Sequence, residues 1–199
     1  MKAALVRTGA GNLYSLAVAL ERIGVCPEVV DTPEQLRRLD RVILPGVGEA
    51  RRAMDFLVRR RLDRAIRDLR VPVLGICLGM QLLCRWSEEG NTPGLGVFDL
   101  EVRRFRGEEK VPHTGWNRID KLEGKLFRGI EGGEWFYFVH GYRAGLSNRT
   151  TAVCDHMGPF SAALEQDNFF GVQFHPEKSG GAGSRLLRNF IFGGMSDDK

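Results

Sequence analysis

Residues 71–83, VPVLGICLGMQLL, read as a buried strand that turns directly into a helix, with a cysteine at the join. Val73, Leu74 and Ile76 are apolar and partly β-branched, as in a strand covered on both faces. Leu78, Met80, Leu82 and Leu83 favour helix. Gly75 and Gly79 flank Cys77 at two residues on either side. A strand-to-helix turn this sharp strains its central residue and needs neighbours without side chains. The thiol then stands exposed at a strand end near the positive end of a helix, where thiolate is favoured over thiol. Free cysteine is otherwise most often a small core residue, but a core filler has no need of glycine on both sides.

Around that turn, strand and helix alternate. Residues 2–8 read as a strand, and the GAG turn leads to Asn12, a suitable helix N-cap. Leu13, Leu16, Ala17 and Leu20 then recur at helical spacing. Glu28–Val30 is a short strand. Thr32, Pro33 and Gln35 carry the capping-box signature of a helix start. Arg41–Leu44 is a third strand, followed by PGVGEA and one helical stretch over residues 49–69. This alternation predicts an α/β fold: a mostly parallel sheet flanked by helices, with sites at the carboxyl ends of the strands.

The second half changes character. After a polar loop over residues 87–94, strands are expected at 95–105, 116–122, 134–144, 150–156 and 168–175. They are expected to add antiparallel strands to the same sheet. A helix over residues 181–192 closes the fold, and the tail at 195–199 frays. The chain is expected to form a single domain over residues 1–199.

Hydrophobic content of 43% and charged content of 27% place the chain among soluble globular proteins. No apolar run reaches the length needed to cross a bilayer, so the cytoplasm is the expected compartment. The four cysteines form no CxxC pair, and Cys77 and Cys84 lack zinc-ligand spacing. No metal, no disulfide and no cofactor are expected. The net charge of +4 raises the question of nucleic acid. The excess lies in residues 59–70, where Asp63 and Asp68 alternate with arginines around an apolar stripe of Ala65, Ile66 and Leu69. That is a solvated helix face without aromatics for base stacking.

A cysteine nucleophile needs a base, and the base needs an orienting group. His175 ends the apolar run FFGVQF, and Glu177 follows two residues later. In extended chain, such residues point the same way, so one backbone can present both imidazole and carboxylate. His140 closes WFYFVH and can line the same cleft, but no acid follows it closely. His113 falls in an expected loop, and His156 and Asp155 face opposite sides. Donors for a developing oxyanion are expected from the N–H of Leu78 and from PGVGEA, where Gly46 and Gly48 let the backbone approach a substrate.

GICLGMQLL around Cys77, together with QFHPE around His175, resembles the class I, triad-type glutamine amidotransferases. The resemblance implies that Cys77 attacks the side-chain amide carbon of L-glutamine, that His175 moves the protons and that Glu177 orients His175. It places Val47, Gly48 and Leu78 in the oxyanion region, and Gln81 and Gly46 beside the substrate. GAGNLYSL, LPGVGEA, PHTGWN, YFVHGY and GVQFHPEKS resemble the branch of that family whose ammonia passes to a (β/α)-barrel cyclase subunit in histidine biosynthesis. A heterodimer is implied, with Asn12, Trp116 and Lys178 in the loops facing the cyclase. A subunit of this kind should idle when alone, and the glycine-flanked Val47 is the expected switch, because glycine neighbours lower the cost of a peptide flip. A non-catalytic docking subunit would not need all three triad residues, and another cysteine hydrolase would lack HPE and PGVG together.

Overall fold

In the computed structural model, which describes residues 1–9 and 13–193, a seven-stranded sheet forms the centre. Its parallel part is built from β1 (Ala3–Val6), β2 (Glu28–Val30), β3 (Arg41–Leu44) and β4 (Val73–Ile76). Between them run α1 (Tyr14–Glu21), α2 (Pro33–Leu36), α3 (Ala50–Arg59) and α4 (Leu62–Arg67). After β4 come α5 (Leu78–Leu83), β5 (Cys84–Ser87), β6 (Thr92–Pro93), β7 (Phe98–Arg104) and β8 (His113–Arg118). The chain continues through β9 (Trp135–His140), β10 (Tyr142–Ala144), β11 (Thr150–Asp155), β12 (Pro159–Gln166) and β13 (Phe169–Val172), and ends on α6 (Gly180–Phe192).

The sheet order is β11-β12-β13-β4-β3-β1-β2. From β13 to β2 every pairing is parallel, while β12 meets both of its neighbours antiparallel. β1, β4 and β13 are buried on both faces, as their unbroken apolar runs require. Alternation divides them between two cores. Leu5, Ile43, Leu74 and Ile76 pack with Leu16 and Leu20 of α1 and Leu186, Leu187, Phe190 and Ile191 of α6. Ala4, Val6, Val42, Leu44 and Val73 pack on the other face with Leu57, Leu62, Ile66 and Leu78. Each fully buried leucine or isoleucine contributes about 1.5–3 kcal/mol.

Several expectations are corrected. The helical stretch over 49–69 is two helices, because Arg61 adopts φ 59°, ψ 21° and breaks the helix between them. The break lets Leu57 on one side and Leu62 and Ile66 on the other all reach the same core. Antiparallel strands are added to the main sheet as expected, by β12 and β11, but the other second-half strands do not join it: β10-β7-β5-β6 form one small sheet and β8-β9 another. PFSAALEQ is a strand, β12, that the sequence reading did not mark, and the expected polar loop at 87–94 contains the short strand β6. The loop expected around His113 is the start of β8, so the strand expected at 116–122 begins earlier and ends at Arg118. Asn12 and the tail at 195–199 lie outside the described residues.

Candidate active site

β4 and β13 run side by side at the middle of the sheet, and the site forms where both end. At the end of β4, Cys77 takes φ 52°, ψ −111°, a conformation that costs on the order of 1–3 kcal/mol outside glycine. The surroundings enforce it. The Cys77 N–H donates to the Val172 carbonyl at 2.7 Å, and its own carbonyl accepts the Gln81 N–H at 3.2 Å. The glycines explain how the turn fits: a Cβ on Gly79 would lie 1.8 Å from the Leu44 carbonyl oxygen, and one on Gly46 would lie 2.1 Å from the Gly79 nitrogen. The end of β3 and the start of α5 therefore touch backbone to backbone.

The thiol does not stand in solvent as expected. Cys77 is 7% exposed and lies in the wall of a cleft of about 310 Å³, with Gly46, Val47, Gly48, Leu78, Gln81, Glu89, His140, Tyr142 and His175 around it. That volume is at the small end of ligand pockets and suits a single amino acid. α5 is only six residues long, so its dipole adds less than the sequence implied.

β13 delivers the second part. His175 follows it, with its backbone N–H bonded to the Tyr137 carbonyl at 2.8 Å. Its Nδ1 lies 2.8 Å from Glu177 Oε1. The pairing is as predicted, but its geometry is not: Pro176–Lys178 is a 3₁₀ turn rather than extended chain. Among the described residues, His175 Nε2 is buried without a hydrogen-bond partner. The Cys77 sulfur is the strongest of the groups that favour the protonated ring. Burial alone would lower the pKa of His175, but the Cys77 sulfur and the Glu177 carboxylate outweigh it and raise it to about 10. The arrangement offers a strained sulfur, a base beside it and a buried carboxylate behind the base. That is the equipment for nucleophilic attack with proton transfer.

The remaining wall is a polar chain. Gln81 is 5% exposed, and its Nε2 donates to the Tyr142 carbonyl and to Gln173 Oε1, both at 3.0 Å. His140 Nδ1 bonds the same Tyr142 carbonyl at 2.7 Å, which fixes Nδ1 as the donor, so Nε2 accepts from His113 Nδ1 at 3.1 Å. Burial lowers the pKa of His140 to about 3 and, with the His156 charge adding to it, that of His113 to about 4. Both rings are therefore neutral supports. Glu89, which the sequence reading did not single out, accepts the Ala50 N–H at 2.8 Å, and its pKa is raised mainly by partial burial.

Trp116 is 52% exposed and meets the Tyr137 ring edge-on, and Lys178 Nζ sits 5.5 Å from the centre of the same ring. Tyr137 thus joins two of the residues expected at a partner, though nothing in its sequence position marked it. Val47 is 40% exposed at the rim of the cleft, and Gly48 beside it has φ +113°. Among the described residues there is no cluster of His, Cys, Asp and Glu suited to a metal, and no helix long and apolar enough to cross a membrane.

The family model for glutamine amidotransferase class-I matches residues 4–193. The fold is shared with a glutamine amidotransferase of known structure at TM-score 0.76 and 20% identity, over 96% of this chain and 98% of that one. It is also shared with a glutamine amidotransferase from Thermotoga maritima at TM-score 0.65 and 23% identity, over 96% and 81% of the two chains. The chain belongs to the class I glutamine amidotransferases. Within that family it groups with imidazole glycerol phosphate synthase subunit HisH. The protein of that name from Bacteroides fragilis is 52% identical over 96% of this chain and 99% of its own length. The one from Escherichia coli K12 is 46% identical over the same shares.

Proposed function

We propose that this chain is the glutaminase subunit of imidazole glycerol phosphate synthase, supplying ammonia for histidine biosynthesis through a Cys77-His175-Glu177 triad. Its relationship to the HisH subunits supports that activity and a place in a complex. The single observation that carries the residue assignment is the buried Glu177-His175 pair, with an unbonded Nε2 beside a strained cysteine.

The proton shared by the pair rests on His175, whose raised pKa keeps the ring protonated at neutral pH, and the Cys77 sulfur attacks the side-chain amide carbon of L-glutamine. The C=O bond opens to an oxyanion, which the N–H of Leu78 and the backbone at Val47 and Gly48 receive. His175 returns the proton to the amide nitrogen as the C–N bond breaks, leaving ammonia and a thioester. Water, deprotonated by His175, attacks the thioester, and glutamate leaves as the sulfur recovers its proton. Glu177 holds the imidazole tautomer and balances its positive charge. Gln81 and the backbone at Gly46 hold the substrate, and Glu89 is the carboxylate in the cleft wall placed to meet its ammonium group.

Free ammonia in water is mostly ammonium and a poor nucleophile. The product therefore passes to a (β/α)-barrel cyclase subunit in a cytoplasmic heterodimer, docked on the face that carries Trp116 and Lys178. A glutamate-release assay with and without that cyclase tests the reading. Release should rise in the complex and vanish in Cys77→Ala, while the variant still binds the cyclase. Release unchanged in Cys77→Ala overturns the assignment.

A further inference from the structure

Gln173 is fully buried, directly after β13, between Val172 and Phe174. A side-chain amide in such a place has to bond its polar atoms or lose more than a kcal/mol for each. Its Oε1 accepts from Gln81 Nε2 at 3.0 Å, and its Nε2 lies 3.7 Å from Cys77 Sγ. Its backbone N–H is tied to the Ala162 carbonyl at 2.9 Å, so the side chain hangs from the interior of the sheet.

The direction of the two amides is fixed from one end. The Tyr142 backbone carbonyl can only accept, so the end of Gln81 facing it is the NH₂ group. The second proton of that NH₂ points at Gln173, whose facing atom must then be oxygen. The Gln173 NH₂ is left facing the sulfur. The sulfur also meets the Val139 carbonyl at 3.8 Å, which takes the S–H whenever the sulfur is protonated. When the proton leaves for His175, that carbonyl repels the thiolate, and the Gln173 N–H becomes the contact that still attracts it.

We propose that Gln173 is a positioning residue for Cys77: its amide, aimed through Gln81 by the Tyr142 carbonyl, holds the sulfur in place and favours its thiolate. The proposal rests on the reading of Cys77 as nucleophile. The other titratable groups around the sulfur are His175 with Glu177 after β13, the neutral His140 from β9, Tyr142 of β10, and Glu89 in the cleft wall. A substitution at Gln173 leaves all of them in place.

The test is alkylation of the full chain by iodoacetamide, read on the Cys77 peptide by mass spectrometry, with exposed Cys26 as internal reference. Gln173→Met, which keeps the length but lacks the donor, should slow Cys77 labelling about tenfold at pH 7 and move its pH profile up by about one unit. Gln173→Glu should slow it further. Cys26 should not change in either. An unchanged Cys77 rate in a folded Gln173→Met overturns the proposal. Should that variant fail to fold, the wild-type chain decides. One proton of the Gln173 NH₂ should titrate with Cys77 in ¹⁵N-resolved spectra and stop titrating in Cys77→Ser, whereas an NH₂ signal indifferent to Cys77 overturns the proposal. Alkylation consumes no glutamine, so this outcome is independent of whether the chain releases glutamate.

Discussion

Glu177 bonds one nitrogen of His175 at 2.8 Å and leaves the other buried and unbonded beside Cys77. The carboxylate can only accept, so Nδ1 carries a proton and Nε2 is the nitrogen that exchanges its proton with the sulfur and the substrate. Glu177→Gln can present its NH₂ to Nδ1 and invert that tautomer. Its kcat for glutamate release should fall by about 10²–10⁴, with a smaller change in KM and an intact fold. A steady-state assay on the activated complex decides. A loss below threefold would mean that the pair is structural.

The same pair makes a prediction at alkaline pH. His175 titrates near 6.5 when unfolded and near 10 when folded. Between those values the folded chain holds a proton that the unfolded chain has lost. This contribution to stability is complete below pH 6.5 and disappears as pH rises through about 10. Urea unfolding should show stability declining across that window, by at most about 1.4 kcal/mol per pH unit from this group. Glu177→Gln should flatten the decline.

At acid pH the neighbouring histidines act in the opposite sense. Folding lowers the pKa of His113 to about 4 and that of His140 to about 3, against 6.5 in the unfolded chain. The unfolded chain takes up protons first, so stability present above pH 6.5 is lost as pH falls through about 4 and then about 3. The urea midpoint should therefore drop between pH 6.5 and 4. His113→Asn retains a donor but cannot titrate, and it should make that drop shallower.

Two glycines near the thiol should respond differently to one methyl group. Gly79→Ala drives a Cβ into the Leu44 carbonyl, and backbone cannot step aside, so the chain should lose about 3 kcal/mol or more, or fail to fold. Gly48 sits at φ +113° in an exposed rim, where the proposed oxyanion donors turn. Gly48→Ala should reduce activated glutamate release by tenfold or more, while Tm shifts by only a few degrees. Equal losses of activity and stability at Gly48 would remove the case for a backbone switch next to Val47.

The features legible in sequence were those that local chemistry determines. The elbow at Cys77, the strands Arg41–Leu44 and Val73–Ile76 and the closing helix follow from apolar runs and glycine placement. Arg61 escaped notice because a left-handed arginine is chosen by the core on either side of it rather than by its own propensity. PFSAALEQ escaped because its small residues carry no strong period, yet Phe160, Ala162 and Ala163 are fully buried once β13 lies beside them. Gln173 stood in plain view as a polar residue inside an apolar run. Its significance depends on Gln81 and Cys77, both more than ninety positions away, and only the folded sheet brings them together.

Trp116, Tyr137 and Lys178 form one exposed aromatic and cationic group on the β8-β9 ribbon and the turn after His175. The Tyr137 carbonyl also holds the His175 backbone N–H at 2.8 Å, so this surface and the proposed base are joined through β9. A partner pressing on the ribbon therefore acts on the backbone that carries the imidazole. Trp116→Ala removes a large half-exposed indole without touching the cleft. It should weaken cyclase binding about tenfold or more and leave the basal glutamate release of the isolated subunit unchanged. Titration calorimetry with the cyclase measures the first, and the uncoupled assay measures the second. Tight binding together with lost activation would place Trp116 in the signal between subunits rather than in the adhesion of the two surfaces.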